Sequence, residues 1–343
     1  MKSHLLVLTM ALLTACGGSQ KGSADTAAVD AGPNANPQAA PQPVGPEFMA
    51  DSAFAFCQRQ CDFGPRTMNS DAHEHCAQWI AGKFQAYGLA VTKQQATLTG
   101  FDGTPLHATN IIASYRPEQP DRILVCAHWD SRPWADNDPD ESNHQKPVLA
   151  ANDGASGVAV MLELARLVSS SAQSAKNSAP NYGIDFICFD AEDWGTHADG
   201  DSWALGSHYW ASHPHQPGYK ARFGILLDMV GGQNARFYRE GHSQLYASQT
   251  VNTVWRAAET VGFSTFFPKQ DGGFITDDHI PVNELAGIPC IDIVPFYPNC
   301  EESNFGPTWH TVKDDMSHIA PGTLKAVGQT LVQVLWEMSD GIE

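Results

Sequence analysis

The chain has 343 residues, 42% of them apolar, enough for one large domain or two small ones around a substantial core. Its formal net charge is −18, from 20 Lys and Arg against 38 Asp and Glu. No basic cluster interrupts that acidic balance, so no nucleic acid partner is expected, and the charge serves solubility.

Residues 1–16 read as an export signal. Lys2 supplies a positive end and residues 5–13 an apolar stretch, shorter than the about 20 residues that span a bilayer. Leu13-Thr14-Ala15-Cys16 has the form of a bacterial lipobox, which implies an exported lipoprotein held in the cell envelope by lipid on Cys16. Gly17 after that cysteine favours the outer membrane, facing the periplasm. Residues 17–46 lack Ile, Leu, Phe, Trp and Tyr and predict a disordered linker. The catalytic domain is placed at 47–343.

Asp51 to Tyr87 reads as helical, broken at Gly64-Pro65-Arg66, with Cys76, Trp79, Ile80 and Phe84 at helical spacing. Strand-like runs follow at Ala90 to Thr99, Asn110 to Tyr115, Arg122 to Ala127, Tyr182 to Phe189, Gly224 to Asp228 and Cys290 to Val294. Helical patterns lie between and after them, at Ser156 to Val168, Asn252 to Val261 and Thr323 to Met338. This alternation predicts an α/β three-layer sandwich, with a central mixed, largely parallel sheet flanked by helices. With Cys16 lipidated, seven of the eight cysteines remain. Cys57 and Cys61 share a helical face, and Cys126 and Cys188 read as buried strand thiols. No Cys-x-x-Cys pair occurs, so a zinc knuckle is not supported.

Open α/β sheets bind ligands at the carboxyl ends of their strands, and the acids and histidines gather there. His128 closes the run Ile123 to Ala127; it is either a core-edge histidine or a ligand, and Asp130 suits an acceptor that orients its imidazole. Asp153 stands before Gly154-Ala155-Ser156-Gly157, where it either caps a helix or binds a metal. Glu192 and Asp193 are adjacent after an apolar run. Burying two carboxylates together is costly unless a cation is present or one is protonated, so one metal ligand and one proton shuttle is the natural division. Asp228 ends a further run. His310 follows Trp309, whose indole offers an apolar wall beside a ligand. Such a His, Asp and Glu set suits zinc, which takes N and O ligands and in catalytic sites keeps one position open.

His128-Trp129-Asp130, Ala151-Asn152-Asp153-Gly154, Asp190-Ala191-Glu192-Asp193, Asp228, Asp277-Asp278-His279 and Trp309-His310-Thr311 resemble the ordered motifs of the zinc aminopeptidase-like superfamily (peptidase family M28). Within it the resemblance is to glutaminyl cyclases of the animal and Bacteroidetes type. Gly206-Ser207, the run from Asp277 to Pro281 and Trp309-His310 carry that narrower likeness, and the whole extends from Phe54 to the C-terminus.

The resemblance implies one Zn2+ per chain, held by Asp153, Asp193 and His310. It makes Glu192 the general acid/base, tuned by Asp228 and Asp277, and sets Trp309 beside the substrate. It also implies peptide or protein substrates with N-terminal Gln, converted to pyroglutamate with loss of ammonia. Animal members carry Glu where this chain has Asp193, so the shorter side chain brings the metal closer to its turn. A second pocket tryptophan of the animal members falls at Ala198, and either Trp194 or Trp203 takes its place. The rival reading is a two-zinc aminopeptidase in which His128 and Asp228 hold a second metal and Asp153 bridges. A non-catalytic surface-binding lipoprotein is the third.

Overall fold

The computed structural model describes residues 41–174 and 179–339. The export signal, Cys16 and the expected linker up to residue 40 lie outside the described residues. Two helices, α1 (Ala50–Cys61) and α2 (Asp71–Ala86), precede a hairpin of β1 (Ala90–Thr99) and β2 (Pro105–Tyr115). Then come β3 (Arg122–His128), α3 (Ala155–Ala172), β4 (Gly183–Phe189), α4 (Leu205–Ser212) and β5 (Gly224–Leu227). The chain closes with α5 (Gly241–Thr260), α6 (His279–Glu284), β6 (Cys290–Ile293) and α7 (Pro321–Glu337).

The six-stranded sheet has the order β1-β2-β4-β3-β5-β6. The β1–β2 and β2–β4 pairings are antiparallel, while β4, β3, β5 and β6 run parallel, with His128 beside Phe189 and Leu227 beside Ile293. The parallel strands are buried throughout, as strands covered on both faces must be. Alternate residues of β3 divide the core. Ile123, Val125 and Ala127 pack with α1, α2, α3 and α7, and Leu124 and Cys126 with Trp210 of α4 and Val282 of α6. The fold is thus the expected three-layer sandwich, with β1 a polar, partly exposed edge.

Three differences from the sequence reading have physical causes. Helices α4 and α6 are too short to show a period. Helix α5 begins well before Asn252 because two helical pieces merge across a kink at Ala247 (φ −141°, ψ 42°). The linker was expected to run to residue 46, yet residues 41–46 lie along α7. Val44 N–H donates to Gln333 Oε1 (2.8 Å), and the Gln333 and Gln329 amides donate to Gln42 O and Pro46 O (3.1 and 3.2 Å). A Pro-rich segment has no ladder partner of its own, and two glutamines supply one. The seven described cysteines are free thiols, all buried but Cys300. Among the described residues no helix is long and apolar enough to cross a membrane.

Candidate metal centre and catalytic pocket

The carboxyl ends of β3, β4 and β5 deliver His128, the turn 190–193 and Asp228 to one place, where the start of α3 brings Asp153 and a late turn brings His310. His310 Nε2 lies 3.2 Å from Asp193 Oδ1 and 3.6 Å from Asp153 Oδ2. These three buried residues offer ligand atoms within 4.8 Å of one another. Asp153 Oδ2 and Asp193 Oδ2 have no hydrogen-bond partner in the protein. A buried oxygen left so is destabilising by about 1–3 kcal/mol or more, which a bound cation removes. The donor set of two carboxylates and one imidazole fits zinc.

A second group, His128, Asp153 and Asp228, also lies within 4.8 Å, with His128 Nε2 3.0 Å from Asp153 Oδ1 and 3.2 Å from Asp228 Oδ1. Burial opposes charge on His128, but Asp130, Asp153 and Asp228 outweigh it and raise the imidazole well above its ordinary value. Glu192 is pushed well up, first by burial and then by Asp193, Asp277 and Asp278, with His128 opposing. Burial likewise lifts Asp228 to about 6 and Asp277, beside it, to about 7.

The turns carrying Asp153 and Glu192-Asp193 rest on buried carboxylates. Asp130 accepts the Glu192 and Asp193 N–H groups, each at 3.1 Å. Asp314 accepts those of Asn152 (2.8 Å) and Asp153 (3.0 Å). Asp190, paired with His73 at 2.9 Å, accepts from Thr109 and Ala191. The expected role of Asp130 changes accordingly. Its nearest approach to His128 Nδ1 is 3.6 Å, too long for a hydrogen bond, and that nitrogen has no hydrogen-bond partner in the protein, while each Asp130 oxygen accepts an N–H of the 192–193 turn. Arg132 braces the same turn, donating to Asp193 O and Gly195 O (3.2 Å each) and forking onto Asp136.

Backbone strain gathers here as well. Ala150, Ala191, Ala204, Met229 and His310 all have left-handed φ between 52° and 56°, and they flank or carry the site residues. Such non-glycine positions are destabilising by about 1–3 kcal/mol each and persist where packing over-determines them.

Trp309 stacks on His310 at 3.7 Å, and Trp203 lies parallel to the same imidazole at 5.9 Å. Trp203 therefore supplies the second indole wall. It rests on Gly195, where a Cβ would come within 2.0 Å of the ring. Trp194 turns away to Asp102 and Trp134, and Ala198 is exposed. Trp203 and Trp309 both line a pocket of about 350 Å³, together with Glu192, Asp228, Asp277 and His310. Sequence reasoning missed its Phe274, Phe296 and Phe305, which sit on loops without periodicity.

The raised carboxyls set a pH dependence. In metal-free protein Asp228, Asp277 and Asp314 (about 8) hold protons that the unfolded chain has released above about pH 4. Their contribution to stability is therefore full below that pH and is lost as pH rises through about 6, 7 and 8. The thermal midpoint of chelated protein should fall between pH 5 and pH 8; a rise would contradict these assignments.

The sequence matches peptidase family M28 over residues 110–335. A solved glutaminyl cyclase of Bacteroides thetaiotaomicron, bound to N-acetylhistamine, is 51% identical with a TM-score of 0.81, covering 85% of this chain and 99% of that one. A solved leucine aminopeptidase precursor from Bacteroides thetaiotaomicron is 50% identical with a TM-score of 0.80, covering 85% and 98%. An aminopeptidase of Bacillus subtilis is 31% identical over 270 residues, 75% of this chain, which spans about half (51%) of that relative's length.

Proposed function

The chain belongs to peptidase family M28, and we propose that within it the protein is a one-zinc glutaminyl-peptide cyclotransferase acting on peptides and proteins with N-terminal Gln. The observation that carries this reading is the pair of indoles, Trp203 and Trp309, lying parallel to His310 over a small pocket. They suit a substrate side chain folding into a flat five-membered ring. The 51% identity to a glutaminyl cyclase supports it.

Bound by Asp153, Asp193 and His310, zinc supplies positive charge for the side-chain amide oxygen. The substrate's own amine attacks its side-chain amide carbon. A C–N bond forms, the old C–N bond breaks, and ammonia leaves. Glu192 takes a proton from the amine and returns it to the departing nitrogen. Asp228 and Asp277 stand next to this path. Because both reacting groups belong to one residue, the indole walls contribute mainly by holding the folded geometry.

The aminopeptidase reading draws on His128, Asp153 and Asp228, a ready second ligand set, and on the 50% identical aminopeptidase precursor. One experiment separates them. Chelated protein should regain ammonia release from a Gln-initiated peptide with one equivalent of zinc, and His128→Ala should keep a zinc content near one. A need for two equivalents, with release of free Gln, would establish the peptidase instead.

For localisation we propose the lipoprotein route through Cys16. Cys16→Ser should move the protein from the membrane fraction to the soluble fraction; retention in membranes would rule the route out.

A further inference from the structure

His310 turns one imidazole nitrogen to the metal site and the other away from it. Nε2 lies 3.2 Å from Asp193 Oδ1 and 3.6 Å from Asp153 Oδ2, while Nδ1 is buried without a hydrogen-bond partner in the protein. A metal takes the lone pair of a neutral imidazole nitrogen, so binding at Nε2 puts the ring proton on Nδ1. That buried N–H then needs an acceptor, since an unmet donor is destabilising by about 1–3 kcal/mol.

The carboxylate facing Nδ1 is that of Asp136. Its Oδ1 lies 3.6 Å away, beyond hydrogen-bond length by roughly half an ångström. A shift of that size is within reach of a partly exposed side chain, and the surroundings keep the two residues facing each other. Arg132 forks onto Asp136, Nε to Oδ1 at 2.7 Å and Nη2 to Oδ2 at 2.6 Å, which leaves each oxygen a further lone pair. The guanidinium is itself buried, with Cζ 4.8 Å from the centre of the Trp203 ring and 5.5 Å from that of Trp134. Its third nitrogen, Nη1, donates to the backbone oxygens of Asp193 and Gly195.

The residues after Asp136 hold the turn that carries His310. Asn137 donates its N–H to His310 O (3.1 Å) and its side-chain amide to Trp309 O (3.3 Å), and Val312 N–H donates to Asp138 Oδ2 (3.0 Å). Residues 132–138 therefore fasten the turns of two metal-site residues at once, one through Arg132 and the other through positions 136–138.

We infer that Asp136 is a positioning residue for the metal site. It accepts the Nδ1 proton of His310 and so fixes the tautomer and ring plane that present Nε2 to zinc. Arg132 ties this acceptor to the Asp193 turn, so one side chain braces both ligands. The role rests on the Asp153, Asp193 and His310 set and is the same for a cyclotransferase or a peptidase.

The test measures zinc affinity, by competition with a chromophoric chelator, in native protein, Asp136→Ala and Asp136→Asn. Losing the carboxylate behind a zinc-bound imidazole should weaken zinc about tenfold to hundredfold in Asp136→Ala. Asp136→Asn keeps the shape and one acceptor oxygen, and should lie only about threefold to tenfold below native. A purely structural role is separated by magnetic resonance on zinc-loaded protein with isotope-labelled histidine. The His310 Nδ1 proton should give a downfield signal in slow exchange with water, and that signal should be lost in Asp136→Ala. If Asp136→Ala does not fold, Asp136→Asn decides through its affinity and a shift of the same signal. Zinc affinity within about twofold of native in either variant, or an Nδ1 signal indifferent to residue 136, overturns the role of Asp136 and leaves ammonia release by the native protein untouched. Native protein that takes up no zinc overturns the ligand set, and the role of Asp136 with it.

Discussion

Asp193→Ala is expected to empty the metal site and remove activity. Asp193 contributes an oxygen that nothing else in the protein engages, beside Asp153 and His310. Zinc sites bind with roughly 10 kcal/mol or more, so one of three ligands carries about 3 kcal/mol, or roughly 10²–10³ in affinity. The metal-free variant should be no less stable than the native apoprotein, because burial and Asp153 both work against the Asp193 carboxylate. Arg132 keeps its fork on Asp136 and its backbone acceptors. Zinc titration against a chromophoric chelator and the thermal midpoint of chelated protein measure the two halves. Native zinc affinity in the variant would remove Asp193 from the ligand set, and a large loss of apoprotein stability would make it a structural residue instead.

Glu192→Gln should leave the metal in place and lower turnover by about 10² or more, the scale of losing a general acid/base. The change keeps side-chain shape and leaves the Glu192 N–H on Asp130, so the 190–193 turn stays in position. It removes only the capacity to carry a proton. Unchanged zinc content with collapsed kcat is the expected pair of results. Activity within a few-fold of native would take Glu192 out of the mechanism.

Much of this was legible in the chain because buried parallel strands are written as unbroken apolar runs. The run Ile123 to Ala127 can only be covered on both faces, and the His128 that ends it must then sit at the sheet's carboxyl edge. The same logic located Glu192, Asp193 and Asp228. What stayed hidden has no period. Phe274 lies on a loop tied to backbone more than 30 positions away, and Phe305 on one held by its own local hydrogen bonds. Asp314 supports Asp153 across 161 residues of sequence, and nothing local marks it as a partner of that turn. Asp130 was placed beside His128 by its spacing. Its actual partners are two N–H groups more than 60 positions away, a pairing that only the β3–β4 register creates. Trp194 and Trp203 were equivalent as letters. Gly195 and the reversal of the chain after it decided which indole reaches the pocket.

The segment that lies along α7 has a mechanical consequence. Residues 42–48 run antiparallel to that helix, from Gln42 and Val44 on Gln333 to Pro46 and Phe48 on Gln329. Lys325 grips Phe48 O, and Glu163 of α3 receives the N–H of Met49. A force entering at residue 41 must break this row before it reaches α1. None of the turns that carry Asp153, Asp193 or His310 lies in that stretch of chain. A tug on the N-terminal side thus meets the strap against α7 first, ahead of every turn that carries a metal-site residue.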